Sequence, residues 1–183
     1  MTKTRIRQTY KRPRYYQRTF VILAGMEVLP AFLWPPRSWV EKAKTLRTFQ
    51  VGYPPRLPKG SCFTRYRIVG ERWLSVPIIH RLKTTPAAAT WPPDKRWRLY
   101  HWRTLLTLYG KAPFFYEWKP FLEYLYLQAP LLTLRDATDL VLRELASLYG
   151  WTYEWAPTTL PKGNWRCNPA ELSILDHLLR TGI

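Results

Sequence analysis

Several side chains in this 183-residue sequence combine a reactive group with a context that predicts a defined environment. His101 lies on the apolar side of a helical pattern, where an imidazole that titrates near neutral pH can act as a general base or contact a substrate. The alternative is a core histidine that only makes hydrogen bonds. Arg65 lies in a predicted strand, and a core-facing guanidinium needs a carboxylate, such as Asp176 or Glu117, or a substrate phosphate.

Asp176 is a carboxylate in the mostly apolar stretch LSILDHLL. Such a group is turned outward, held in an internal salt bridge, or used to orient a substrate. Lys111 precedes Pro113 and fits equally a lysine that holds an anion over aromatic faces and a solvated surface lysine. The abundant aromatic residues form either an aromatic core or the lining of a site, where they would stack on a ring of the ligand; the candidates for such a lining are Trp97, Tyr109, Phe114 and Phe115.

The sequence lacks the short motifs of several enzyme classes. It contains no GxSxG, no P-loop, no GxGxxG and no HExxH. These absences remove support for serine hydrolases, P-loop nucleotide enzymes, dinucleotide enzymes and zinc proteases. A catalyst built from this chain would draw acid–base and positioning groups from separate elements. His80 and His177 have no partner that sequence spacing identifies.

The two cysteines, Cys62 and Cys167, lie far apart and outside any CxxC or Cys/His cluster. We therefore expect no metal site, and no motif predicts another cofactor. A disulfide stays open, although two cysteines in a chain of this size fit a reducing compartment. No apolar run approaches the roughly 20 residues needed to span a bilayer, so the expected location is cytoplasmic.

The charge is strongly basic, with 29 Lys and Arg against 12 Asp and Glu and a net charge of +17. Such a balance indicates a polyanionic partner: nucleic acid, an anionic membrane face or a phosphorylated small molecule. Residues 1–18 contain no acid and are either a solubilising, disordered arm or a nucleic-acid contact in which tyrosines stack on bases. The candidate contacts are Arg5, Arg7, Lys11, Arg12, Arg14, Tyr15 and Tyr16.

The elements that must position these side chains follow from local patterns. Short strands are predicted at 19–24, 48–51, 62–69 and 73–78, the last two as a hairpin. Residues 26–36 are predicted to be loop because they contain three prolines, and residues 83–96 to be a mobile, proline-rich flap. Strands first and helices later favour an α/β or α+β domain over 19–183, with a small mixed sheet in the N-terminal half and a helical C-terminal half.

Helix ends are marked by capping patterns. Ser38 and Glu41 form a capping box for a helix over 39–47, and Asn168 with Glu171 forms one for a last helix that ends before Gly182. Further helices are predicted at 97–109, 120–127 and 136–149. The sequence makes no prediction of oligomeric state.

Three segments, in this order, resemble the WbqC-like family. They are SCFTRYRI followed by LSVP, with Thr64 at a usual asparagine; WRLYHW followed by YGKAPFFYE; and PK, LSILD and a final glycine. The family's opening loop is matched more weakly, because Met26 and Glu27 stand where an amide and an aromatic residue are expected. Together the three segments cover roughly residues 60–183.

The resemblance implies a role in bacterial surface-polysaccharide biosynthesis of the O-antigen type. Proteins of this family are found beside such genes, so the implied substrate is an anionic small molecule such as a nucleotide-linked sugar, or an amino sugar that receives a small group. The matching positions imply that Arg65 and Lys162 bind anionic groups, that His101 is the base and that Asp176 orients or pairs. Glu117 would then lie on the substrate side.

Overall fold

The computed structural model describes residues 22–23, 26–57, 61–79, 85–94, 96–161 and 167–183. The proposed basic arm with all its candidate contacts, His80 and Lys162 lie outside the described residues.

Six strands and five α-helices make up the described part of the chain. The strands are β1 (Ile22–Leu23), β2 (Met26–Pro30), β3 (Thr48–Gly52), β4 (Arg65–Ile68), β5 (Arg72–Ser75) and β6 (Thr152–Trp155). The helices are α1 (Arg37–Leu46), α2 (Arg96–Tyr109), α3 (Phe115–Glu123), α4 (Leu134–Tyr149) and α5 (Ile174–Thr181). A 3₁₀ turn at Pro86–Ala88 precedes α2, and a π-helix at Tyr124–Gln128 continues α3.

The main sheet is mixed and has the strand order β1-β2-β3-β6. β1 is antiparallel to β2, whereas β2, β3 and β6 are parallel neighbours. Helix α1 connects β2 to β3, as a parallel pair requires. β4 and β5 form a separate antiparallel hairpin around Gly70, whose φ of 70° suits a glycine. This small mixed sheet with its helices confirms the predicted α/β class.

Two strands depart from the sequence-based prediction. Residues 26–30 form β2 rather than loop, because the prolines begin only at the last residue of the strand and leave the earlier amides free to pair. The second is β6, in the C-terminal half, where no strand was predicted. Its side chains alternate only between exposed and half-buried, which is a weak strand pattern.

The two predicted capping boxes are wrong, and the structure shows what replaces them. α1 begins at Arg37 after Pro36, without a side-chain cap. α5 begins only at Ile174, so Glu171 lies in the turn before it and does not cap it. Instead, the Glu171 carboxylate accepts the backbone N–H of Ser38 at 2.8 Å. One acidic side chain thus caps the start of α1 from the other end of the chain.

The longer helices agree with the prediction. α2 and α4 are found with bounds shifted by one or two residues, and α4 has a capping box between Thr133 and Asp136. In the proline-rich connection that was predicted to be a mobile flap, some of the described residues pack into the fold and others are exposed. Pro86, Ala89 and Trp91 are buried, and the Leu134 N–H donates to the Ala89 carbonyl at 2.8 Å.

A disulfide joins Cys62 and Cys167, whose Cα atoms are 5.1 Å apart. It connects the segment before β4 with the segment before α5. A second link between the same regions is the hydrogen bond from the Ser173 N–H to the Arg67 carbonyl at 3.0 Å. Among the described residues, no helix combines the length and apolar character that crossing a bilayer demands.

Candidate functional site

Asp176 is a buried carboxylate on α5, with 5% of its surface exposed. Its Oδ1 accepts a hydrogen bond from the Tyr109 hydroxyl at 2.6 Å, and the Tyr109 oxygen accepts the Val69 N–H at 2.9 Å. Burial, followed by the bond to Asp176, raises the pKa of Tyr109 above its usual range, so this hydroxyl stays a donor. The position of the Asp176 carboxylate is therefore fixed by Tyr109 of α2, which is itself held by the β4–β5 hairpin.

The second oxygen of Asp176 faces Arg180 on the same helix, with 3.7 Å between Oδ2 and Nη1. The ion-pair alternative predicted for Asp176 is thus made with a neighbour one turn away. Arg65, which was predicted to pair with Asp176 or Glu117, lies instead with its guanidinium carbon 4.0 Å from the centre of the Trp73 ring. The cation is held by an aromatic face.

A cleft of about 610 Å³ opens between α1 and α5, with Asp176 in its wall. This volume lies in the range of pockets that bind small molecules. Basic, acidic and hydroxyl side chains meet there, including Arg37, Glu41, Asp176, His177, Arg180 and Thr181. The helices are brought together by a bridge between Pro36 and Ser173 and by the Glu171 contact to α1.

His177 is the titratable base of this cleft. Partial burial and the charge of Arg37 lower its pKa, so the ring is neutral at pH 7. The Thr181 hydroxyl donates to the His177 carbonyl at 2.8 Å and lies 2.8 Å from Nδ1. The same hydroxyl also lies 3.4 Å from Nε2, so both ring nitrogens are close to Thr181. A neutral imidazole keeps one nitrogen lone pair, so this ring can act as a base in the cleft.

A second, water-sized cavity of about 20 Å³ adjoins the cleft, and Glu171 and Ser173 line both. Arg65 and Trp73 form one side of it. Arg65 Nε and the Ser173 hydroxyl are buried and have no hydrogen-bond partner in the described part of the chain. Unsatisfied donors beside a cavity of this size suit one bound water or one ligand oxygen.

His101 ends a chain of buried hydrogen bonds. Its Nε2–H donates to the Ser75 carbonyl at 3.2 Å, so Nδ1 of the neutral ring accepts the Tyr66 hydroxyl, also at 3.2 Å. Tyr66 in turn accepts the Tyr126 hydroxyl at 2.6 Å, and Tyr126 accepts the Trp34 indole N–H at 2.9 Å. All of these hydrogen bonds therefore run in the same direction, from the Trp34 indole through the two tyrosine hydroxyls and His101 to the Ser75 carbonyl.

Burial lowers the pKa of His101 to about 4, and only 1% of its surface is exposed. This is the environment of a core histidine that only makes hydrogen bonds, which was the alternative to a general base. The base role predicted for it would require Tyr66, which lines the small cavity, to carry the proton between a ligand and the imidazole.

The predicted aromatic wall is spread through the core and lines neither cavity. Trp97 packs at 5.1 Å from the His101 ring, and Phe115 stacks on Trp102 at 6.4 Å. The half-buried ring of Phe114 lies beside Gly182, where an added Cβ would come within 2.9 Å of it. Lys111 and Glu117 are exposed.

Sequence reasoning missed His177 and Arg37. His177 follows Asp176 directly, but its basic partner comes from a helix more than 130 residues earlier. No local pattern encodes this proximity, because it depends on the pairing of Pro36 with Ser173.

The family model of the WbqC-like protein family matches residues 49–162. This span contains Arg65, His101 and Tyr109, whereas α5 with Asp176 lies beyond it. No curated protein and no solved structure gives a significant match.

Proposed function

Since the chain belongs to the WbqC-like protein family, we propose that it acts in surface-polysaccharide biosynthesis of the O-antigen type, on a nucleotide-linked or amino sugar. The association of the family with surface-polysaccharide genes supports the pathway. The chemistry of the cleft between α1 and α5 supports the substrate class.

The observation that carries the proposal is the fixed carboxylate of Asp176 in a cleft also lined by Arg37 and Arg180. Guanidinium groups bind phosphate oxygens through paired N–H donors. A carboxylate held in one position accepts hydrogen bonds from a sugar hydroxyl or ammonium group. Together these groups fit a ligand with an anionic end and a hydroxylated end.

His177 supplies an acid–base group for a transfer step at this site. When an amine or hydroxyl of the sugar attacks an activated group, it must release a proton, and the neutral His177 ring has a nitrogen lone pair to accept it. In this proposal Asp176 orients the acceptor. Arg65, at the adjoining cavity, would bind a further anionic oxygen through its unsatisfied Nε.

Titration calorimetry with UDP-N-acetylglucosamine as the probe tests the proposal. Replacing Arg37 or Arg180 by Ala should weaken binding roughly tenfold, equivalent to about 1.4 kcal/mol. The matched control is Arg103→Ala, which removes the same charge from the exposed face of α2. No binding by the unaltered protein, or an equal loss in the control, would contradict a specific site in the cleft.

The basic balance of the chain supports a second candidate, a nucleic-acid-binding protein that uses residues 1–18. Seven cations and no acid lie in this segment. Affinity for duplex DNA should then fall steeply with salt and disappear when residues 1–18 are deleted, whereas His177→Gln should leave it unchanged. DNA affinity that survives the deletion would rule the arm out as the main contact.

A further inference from the structure

Large apolar side chains are exposed in one region of the described chain. Seven of the nine such residues lie between positions 99 and 132, on α2, α3, the π-helix and the loop that follows. The seven are Leu99, Tyr100, Leu106, Tyr116, Tyr124, Leu127 and Leu132. Exposed apolar residues that share one face mark a contact surface, whereas single exposed residues are ordinary.

The outward face of α2 is the best defined part of this region. Leu99 and Leu106 are seven residues apart and therefore lie on one side of the helix, with 41% and 44% of their surfaces exposed. Arg96, Tyr100 and Arg103 form the neighbouring stripe and are also exposed. α2 contains no Asp or Glu. Arg96 is paired with Asp94, 2.7 Å from its Nε, so Arg103 is the main source of positive charge on this apolar face.

This surface is rigidly supported from inside. Arg98, on the opposite side of α2, is 5% exposed, and its two terminal nitrogens donate to the carbonyls of Leu125 and Ala129 at 2.6 and 3.0 Å. These bonds fix the π-helix and its loop, which carry Leu127 and Leu132, to α2. The exposed leucines thus belong to one packed unit.

We propose that this face docks on an anionic lipid bilayer. A helix that lies in the bilayer interface combines basic residues, which approach lipid phosphates, with leucine and aromatic residues, which enter the headgroup boundary. The net charge of +17 complements such a surface. Nucleic acid fits less well, because exposed aliphatic side chains gain nothing from phosphates and do not stack on bases.

Co-sedimentation of the full chain with phosphatidylcholine vesicles, with and without phosphatidylglycerol, tests this inference. The basic arm alone would give binding that salt abolishes, so the comparison is repeated at about 1 M NaCl, where the Debye length is about 3 Å. We expect part of the binding to anionic vesicles to persist there. Leu99→Ser with Leu106→Ser leaves the charge unchanged and should weaken this persistent binding about tenfold or more.

Ile183→Ser is the matched control, because Ile183 is 81% exposed but lies outside the region. It should bind vesicles as the unaltered protein does. Arg103→Glu, at an exposed position, is a second variant and should weaken only the binding to anionic vesicles at low salt. Complete release of the unaltered protein by salt, or unchanged binding of the double leucine variant, would overturn the proposal. So would an equal loss of duplex DNA binding in that variant, which would assign the face to nucleic acid.

Discussion

The Tyr109 hydroxyl lies 2.6 Å from Asp176 Oδ1 and joins the last turn of α2 to the first turn of α5. The same oxygen accepts the Val69 N–H, so one side chain connects two helices and the β4–β5 hairpin. Among the described residues, the Asp176 side chain has one further donor nearby, Arg180, one turn away at 3.7 Å. The position of this carboxylate in the cleft therefore depends on Tyr109.

Replacing Tyr109 by Phe should lower the free energy of unfolding by about 1–3 kcal/mol, because a buried carboxylate and a buried N–H lose their partner while ring packing is kept. Urea unfolding measures the change. Tyr116→Phe is the matched control, since Tyr116 is 72% exposed and should show almost no effect. Equal stability of the Tyr109 variant and the parent would mean that the bond does not hold the carboxylate.

Acid should destabilise the protein through His101. Burial lowers its folded pKa to about 4, below the ordinary value of 6.5, so the unfolded state binds more protons in acid. The stabilisation is complete above pH 6.5 and is lost as pH falls through 4; the shift corresponds to roughly 3 kcal/mol. His101→Gln should flatten the stability profile in this window, and His177→Gln, at a half-buried position, should flatten it less. A parent profile that is already flat there would contradict the neutral, buried imidazole.

In the hydrogen-bond chain that leads to His101, the hydroxyls of Tyr66 and Tyr126 should not contribute independently to the free energy of unfolding. Tyr66→Phe and Tyr126→Phe each leave buried polar groups unpaired and should each cost about 1–3 kcal/mol. Once one hydroxyl is gone, removal of the second costs less, so the double variant should show a coupling of about 0.5–3 kcal/mol. A double-mutant cycle by urea unfolding measures it. Strict additivity would indicate that the two hydroxyls do not interact across 2.6 Å.

Glu171 should matter for α1 although it lies 133 residues from the residue it caps. Glu171→Ala removes the acceptor of the Ser38 N–H and should cost about 1 kcal/mol, as loss of an N-cap does. Glu144→Ala is the control, because Glu144 is an exposed acid on α4. Thermal unfolding measures both variants. Identical midpoints for Glu171→Ala and Glu144→Ala would show that the capping contact contributes nothing to stability.

The sequence pattern correctly predicted elements whose structure depends on residues that are close together in the chain. The apolar stripes of α2 and α4 and the hairpin around Gly70 were predictable because residues three, four or two apart decide them. β2 was not predictable, because prolines next to a strand suggest a loop when the strand's end is unknown. The match of Ser38 with Glu41 misled for a related reason: the sequence pattern of a capping box was present, but Glu171 caps the helix.

The candidate site was harder to predict than the fold because its members come from both ends of the chain. Asp176 was predicted to be turned outward, internally paired or used to orient a substrate, and no residue near it in the sequence indicates that Tyr109 is its hydrogen-bond donor. Arg65 was expected to pair with a carboxylate or a substrate phosphate; its guanidinium instead lies over the Trp73 ring, and its buried Nε has no hydrogen-bond partner among the described residues. Side-chain chemistry predicted which groups require partners, and long-range packing decided which partners they found.

The pairing of β3 with β6 sets an order for biogenesis. Thr48 lies beside Thr152, so β3 gains its second neighbour only after more than 100 further residues have left the ribosome. Until then the nascent chain presents one side of β3 as an unpaired strand edge, and such edges recruit other chains. Helix α1 and the strands before it can form early, but completion of the sheet waits until β6 has been made. The growing chain therefore carries β3 with one uncovered edge until residues 152–155 have emerged.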